Sequence, residues 1–310
     1  MLKPVESQRP ENGTIKDIQG VPSIYYDGYW IRYYEPPADS LVARKRLIES
    51  LTRRTFHHTE PGINTPGENL ELARATYEGE SDPRKKRVKG AMLAGALFNR
   101  ATDIFTEVVE LTNKGVQISE ENELMRECAD CFKEALEVGK CVRHYSGEEG
   151  IDELWGEPFK AFTMPLGKFY QSRYIKIAQA MRAIDSIIGK LRSLFAGRPE
   201  FAGAVPLLDE LCDAAKREAE TMRSDPAIFE VWPRYVAAAD AINEYRPSVE
   251  GRTLDDVEFR RIYDGLQLLR QGRDVITYLS GARVPMPKTT AEFLAKCDEY
   301  HSKGYIPRVL

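Results

Sequence analysis

Residues 83–113 read PRKKRVKGAMLAGALFNRATDIFTEVVELTN. Ser81 and Asp82 can cap a helix, and proline is favoured at a first helical position such as Pro83. Apolar side chains then recur three and four residues apart, which is the spacing of one helical face. They are Leu93, Leu97, Ile104, Val108 and Leu111. The stretch predicts one long helix, which ends at Lys114-Gly115.

Similar patterns cover most of the remaining chain. They predict helices that start after Asp39-Ser40 and cover residues 68–77, 119–145, 168–195, 205–223, 225–243, 254–279 and 291–301. Residues 147–167 are rich in aromatic residues, Gly and Pro and predict a loop, which can line a pocket or form a buried plug. We therefore expect an all-α fold, a multi-helix bundle.

A β signal precedes the helices, at Val21–Tyr34 (VPSIYYDGYWIRYY). Asp27-Gly28 suits a two-residue type I′ turn, because both of its positions need positive φ. The flanking Tyr, Ile and Trp have high β propensity. We predict a short N-terminal β-hairpin that packs its aromatic face on the helices, since a lone hairpin is marginal in water. An alternative is that this face stacks on a ligand.

The expected organisation is a flexible arm over residues 1–20 and a single helical domain over residues 21–310. Residues 197–204 are the best candidate for a boundary between two helical halves. This segment is short and partly apolar, unlike a flexible linker, so one compact domain is favoured.

Composition limits the functional classes. The 310 residues carry a net charge of −4, which gives no support to non-specific nucleic-acid binding. The start of the chain is polar, and no window approaches the roughly 18 apolar residues of a membrane helix. Five cysteines, an odd number, favour a reducing cytoplasm over a disulfide framework. We expect a small-molecule substrate or ligand and no membrane partner, and a homodimer is compatible with the sequence.

Acidic residues lie along one face of each of two predicted helices. Glu107 and Glu110 share a face of the first helix, at the margin of its apolar arc, and Glu127 and Asp130 have the same position on the next. The short connection makes these helices antiparallel, and the 1.5 Å rise places Glu107 and Glu127 at about the same level, roughly 9–12 Å from the turn. Four carboxylates in one space would bind Mg²⁺ or Mn²⁺. The alternative is that they form ion pairs.

The text around these residues is Thr106-Glu-Val-Val-Glu-Leu111 and Arg126-Glu-Cys-Ala-Asp-Cys-Phe132. It resembles the all-α nucleoside triphosphate pyrophosphohydrolases, the MazG-like and dimeric dUTPase-like enzymes, over residues 103–145. The resemblance implies that Glu107, Glu110, Glu127 and Asp130 ligate Mg²⁺, which would orient a triphosphate and an attacking water.

A second polar group follows the first predicted helix, where Arg53-Arg-Thr-Phe-His-His58 is followed by Glu60. His58 and Glu60 are candidate catalytic residues, because a histidine beside a loop can act as a general base. The spacing from Arg53 to His58 is also similar to the R-x4–6-H pattern of HEPN-type ribonucleases. A third interpretation is a helical iron oxygenase with His57, His58 and Glu60 as ligands. A fourth is a histidine that satisfies the helix C-terminus.

Two further patterns complete the site predictions. Arg173 and Lys176 belong to a basic edge of the long helix that can contact a phosphate or face the acidic helices. Cys128 and Cys131 form a C-x-x-C inside a helix, on its apolar arc, where core packing is expected. The leading prediction is a magnesium-dependent hydrolase of a nucleotide or phosphorylated small molecule. The alternatives are a non-catalytic ligand- or protein-binding helical protein and the iron oxygenase.

Overall fold

A computed structural model describes residues 9–57, 64–141, 152–198, 202–244 and 257–280, with positions 291 and 295. These residues form nine α-helices, one 3₁₀ turn and one three-stranded sheet, as predicted for the fold class. The helices are α1 (Leu41–His57), α2 (Leu70–Glu78), α3 (Pro83–Asn113), α4 (Glu123–Cys141), α5 (Asp152–Thr163), α6 (Leu166–Leu194), α7 (Ala204–Thr221), α8 (Pro226–Glu244) and α9 (Val257–Ser280). Within the described ranges, no helix is both long and apolar enough to cross a bilayer.

The predicted hairpin is confirmed as strands β2 (Val21–Tyr26) and β3 (Tyr29–Arg32), which pair antiparallel with Tyr26 opposite Tyr29. Between them Asp27 has φ 54° and Gly28 has φ 103°. Two consecutive positive φ values are those of the type I′ turn. The Asp-Gly pair therefore fixes the register of the hairpin.

A third strand, β1 (Ile15–Ile18), precedes the hairpin, within the segment for which the sequence predicts a flexible arm. It pairs antiparallel with β2, with Ile15 opposite Ile24. Gln19 and Gly20 have φ values of 55° and 81°, so they form a second turn with two positive φ values. The backbone N–H of Gly20 donates to Asp17 Oδ1 at 2.7 Å, which holds this turn.

One face of the sheet packs on α6, as predicted. Ile24, Tyr26 and Ile31 are buried in the same core as Tyr174 of α6. The Tyr174 hydroxyl accepts from the backbone N–H of Tyr34 at 2.9 Å and donates to its carbonyl at 3.1 Å. The sheet is therefore fixed to α6 by apolar contact and by two hydrogen bonds.

The predicted loop over residues 147–167 instead contains helix α5, with Pro158 inside it. A proline within a helix removes one backbone donor, which is why the sequence favoured a loop. The helix tolerates this loss because its buried face, including Ala161, packs in the core. The helix predicted near residues 291–301 lies outside the described residues, apart from positions 291 and 295.

The buried side chains form two apolar cores. The first combines α1 to α5 with the start of α6, where Leu166 and Phe169 are buried. The second combines the sheet, the rest of α6 and helices α7 to α9. Because α6 contributes to both cores, one continuous helix joins the two halves of the bundle. The boundary predicted near residues 197–204 lies partly outside the described residues.

Gly67 packs closely against the backbone of α3. It begins the 3₁₀ turn, and a Cβ at this position would lie 2.7 Å from the backbone nitrogen of Arg100 and 2.8 Å from its Cα. Backbone atoms of α3 cannot move aside easily, so Gly67→Ala should lower the free energy of unfolding by about 1–3 kcal/mol in urea denaturation. Gly189→Ala is the control, because this exposed position of α6 has open space around it. It should raise stability by about 0.5–1 kcal/mol. Equal effects of the two substitutions would contradict this packing.

Candidate functional site

All four predicted metal ligands are exposed on α3 and α4: Glu107, Glu110, Glu127 and Asp130. Among the described residues, no three His, Cys, Asp or Glu side chains are grouped as they would be to hold a metal ion. The structure therefore does not bring the four carboxylates together. The metal site stays a prediction.

Two of these carboxylates form ion pairs instead. Glu127 Oε1 lies 3.0 Å from Nη2 of Arg100, which links α4 to α3. Asp130 Oδ1 lies 3.5 Å from Nζ of Lys133 within α4. These are the contacts of the ion-pair interpretation, and at this exposure each contributes little to stability.

The predicted residues His58 and Glu60 lie outside the described residues, as does the side chain of His57. A polar cavity of about 390 Å³ lies beside the end of α1. Asn99 lines this cavity, and its side-chain amide donates to Asn64 Oδ1 at 2.9 Å and to the Thr65 carbonyl at 2.7 Å. The catalytic and iron-binding roles of the histidines stay predictions.

The C-x-x-C pair packs in the core, as expected. Cys128 and Cys131 are both buried in the first core, and the Cys128 thiol donates to the Ala101 carbonyl at 3.2 Å. Burial raises the pKa of the Cys131 thiol to about 11. A thiol of this kind is not ionised near neutral pH, so the pair is structural.

Arg173 and Lys176, the predicted phosphate contacts, belong to a buried group of charges where α1, α5, α6 and α7 meet. We term it the central charge cluster, and its members are Arg54, Glu157, Arg173, Lys176 and Glu218. The side chains of Arg54 and Glu218 are only 1% and 0% exposed. The cluster lies at the seam between the two apolar cores.

Glu157 is the centre of the central charge cluster. One of its oxygens accepts a hydrogen bond from Nη2 of Arg54, and the other lies 3.6 Å from Nζ of Lys176. Nε of Arg54 lies 3.8 Å from Glu218 Oε1. Glu218 in turn accepts from the backbone N–H of Asp225, at the start of α8, at 3.0 Å. The cluster therefore connects five helices.

Aromatic rings cover two of the cations. Nζ of Lys176 lies 4.3 Å from the ring centroid of Tyr278 on α9, and Cζ of Arg173 lies 5.7 Å from that of Phe169. A ring face attracts a cation, most strongly where water is excluded. These contacts hold Lys176 and Arg173 in place without neutralising their charge.

Burial and charge oppose each other in setting the pKa values of the central charge cluster. Burial alone would raise the pKa of Glu157, but Arg54, Lys176 and Arg173 together lower it to about 2. Burial lowers the pKa of Arg173 to about 10, with Arg54 acting in the same direction and Glu157 against it. Both groups are therefore charged at neutral pH.

Two guanidinium groups of the central charge cluster have donors without an acceptor among the described residues. Nε and Nη1 of Arg54 and Nη2 of Arg173 are buried and have no hydrogen-bond partner within the described part of the chain. Buried polar atoms without a partner are rare in folded proteins and often mark an absent water or ion. The arrangement can accept an anion.

The sequence analysis missed Arg54, Glu157 and Glu218, although two of them carry a signal. Arg54 continues the apolar stripe of α1 one turn after Leu51, and Glu218 continues that of α7 after Leu211. A charge at a position where the helical period predicts an apolar residue is either paired or functional.

Glu157→Gln should lower the free energy of unfolding by about 3–5 kcal/mol near neutral pH, because Arg54 loses its buried countercharge. The pKa of Glu157 is depressed from 4.5 to about 2, so its stabilising effect is present above pH 4.5 and is lost as the pH falls toward 2. The difference between wild type and variant should therefore shrink over that range in guanidinium denaturation. The exposed Glu107→Gln is the control and should change little. A gap that does not change with pH would contradict the ionised state of Glu157.

Comparison with known proteins gives no match. No protein-family model, no curated protein and no solved structure matches this chain. The resemblance to the pyrophosphohydrolases over residues 103–145 therefore stays a prediction from short motifs, and function is inferred from the contacts described above.

Proposed function

We propose that this protein binds a small anion at the central charge cluster. The observation that supports this is the pair of buried guanidinium groups, Arg54 and Arg173, whose N–H donors are incompletely used. An oxyanion between them would accept those donors.

The energetic basis is the cost of burying polar groups without partners. A buried donor that loses water and gains no acceptor costs about 1–3 kcal/mol, and a charged one costs more. Arg54 and Arg173 have three such nitrogen atoms between them. The planar guanidinium fork matches the oxygens of carboxylate and phosphate groups, so these are the ligand classes that fit.

Access to the cluster is from the side of Lys176. The unpartnered nitrogens of Arg54 and Arg173 have almost no exposed surface. The side chain of Lys176 is 14% exposed, more than those of Arg54, Glu157 and Glu218. Binding therefore requires side chains to shift at this side, and Arg173 and Lys176 act as the ligand contacts that the sequence analysis expected.

The magnesium-dependent hydrolase is a different proposal with different residues. It depends on the exposed carboxylates of α3 and α4, and none of these contributes a contact to the central charge cluster. No contact among the described residues favours it over ligand binding. Anion binding needs only the cations already buried at the seam.

Sodium formate should raise the unfolding midpoint of the wild type with the logarithm of its concentration, because a ligand of the native state stabilises by mass action. Arg173→Met should show only the general salt effect that any protein shows. Equal responses of wild type and variant to sodium formate would contradict the site.

Arg173→Met should also be no less stable than the wild type in buffer with little anion, because it removes a buried guanidinium group that has an unpartnered donor. The matched control is Arg54→Met, which removes the hydrogen-bonded partner of Glu157 and should cost about 3–5 kcal/mol. Urea denaturation measures both. An equal loss in the two variants would show that Arg173 is a structural partner of Glu157, which would overturn its role in binding.

A further inference from the structure

A groove of about 740 Å³ lies where the start of α1, the middle of α3, the start of α4 and the end of α5 meet. Its floor is apolar and consists of Phe105, Val108, Ile118, Met125, Ala129 and Phe162. Ligand sites for small molecules have volumes of roughly 300–1,000 Å³ and largely apolar linings. The groove has this size, and seven of its thirteen lining residues are apolar.

The charged groups at the edge of the groove are in balance. Asp39 and Glu120 supply two negative charges, and Arg44 and Arg126 supply two positive ones. Nε and Nη2 of Arg44 donate to the two carboxylate oxygens of Asp39 at 2.7 and 3.0 Å. The described lining residues therefore have no net charge to offer a charged ligand.

The strong donors at the edge are also in use. Nη1 of Arg44 donates to the Phe162 carbonyl at 3.1 Å. Nε and Nη2 of Arg126 donate to the Glu121 carbonyl at 2.8 and 2.5 Å. An anionic ligand would have to break these contacts to pair with those nitrogen atoms, whereas a neutral ligand would leave them intact.

Ser40 supplies a small polar group that can orient a ligand. Ser40 Oγ accepts from the backbone N–H of Ala43 at 3.2 Å, which leaves its own proton to donate. Ser40 lies at the edge of the groove, where the apolar floor ends. A ligand with a neutral acceptor at one end would complete this hydrogen bond.

We infer that this groove binds an uncharged, mainly apolar small molecule. Apolar contact with Phe105, Phe162 and Met125 supplies the affinity, and the balanced rim disfavours ligands of either charge. The groove shares no residue with the central charge cluster. The inference is therefore independent of the proposed anion site.

Two dyes that share one ring system test whether the groove prefers a neutral ligand to a charged one. N-phenyl-1-naphthylamine is neutral and fluoresces in apolar surroundings, and 8-anilino-1-naphthalenesulfonate is the same molecule with one negative charge. The neutral dye should bind at one site, with an affinity about tenfold higher than that of the sulfonate. Its affinity should be unchanged between about 50 and about 500 mM NaCl, because no charge is screened.

Filling the groove should remove this site. Ala129→Trp should weaken binding of the neutral dye by about tenfold or more, which corresponds to 1.4 kcal/mol or more. Thr163→Trp fills the groove from an exposed position, so it tests the same space with little risk to folding. Ala183→Trp, at a half-buried alanine of α6 outside the groove, is the control and should bind the dye like the wild type.

Unfolding midpoints show that each variant is folded before its binding is compared. Binding that survives both groove substitutions in folded protein would overturn the inference, and so would equal affinity for the two dyes. Arg173→Met should leave dye binding unchanged. If Arg173→Met abolishes it, the dye reports the central charge cluster and the groove is not the site. A failure of the anion experiment leaves the dye experiment unaffected.

Discussion

The buried ion pair between Arg54 and Glu157 is the interaction around which the two halves of the protein are arranged. It joins α1 to α5 and, through Glu218 and Lys176, reaches α6 and α7. Ions taken out of water lose several kcal/mol of hydration each, and only close partners can compensate. The helices that carry these residues must therefore meet at one point, and this requirement sets the position of α6 between the two cores.

The long helix α6 connects the two cores and the sheet. Its first turns are buried in one core, its later turns in the other, and Arg173 and Lys176 lie between them. The sheet is attached to the same helix through Tyr174 and through the Tyr29 hydroxyl, which donates to Asp185 at 2.6 Å. A change at the central charge cluster is thus next to both cores and beside Tyr174, where the sheet is attached.

The sequence predicted the elements whose signals are local. The limits of α3 follow from Pro83 and Gly115, and the hairpin register follows from Asp27-Gly28. The charged residues at the seam were harder to predict. The helical pattern shows that Arg54 is on an apolar face, but it does not identify the carboxylate, 103 residues later, that pairs with it. For the carboxylates of α3 and α4, the sequence predicted the position along the helix but not the partner. The helical rise places Glu107 and Glu127 at one level but does not fix the direction of their side chains, and Arg100 pairs with Glu127.

The residues that join α1 and the sheet to the rest of the protein are far apart in the sequence. This separation affects the order in which the parts of the protein fold. Arg54 meets Glu157 after 103 residues, Tyr34 meets Tyr174 after 140, and the backbone N–H of Arg32 meets Glu220 after 188. A ribosome that adds about 5–20 residues per second exposes the N-terminal segment for many seconds before these partners exist. Contacts of such long range slow folding relative to a bundle of local hairpins. The sheet and α1 therefore complete their folding late, when α7 has emerged, and depend on the remainder of the chain for their order.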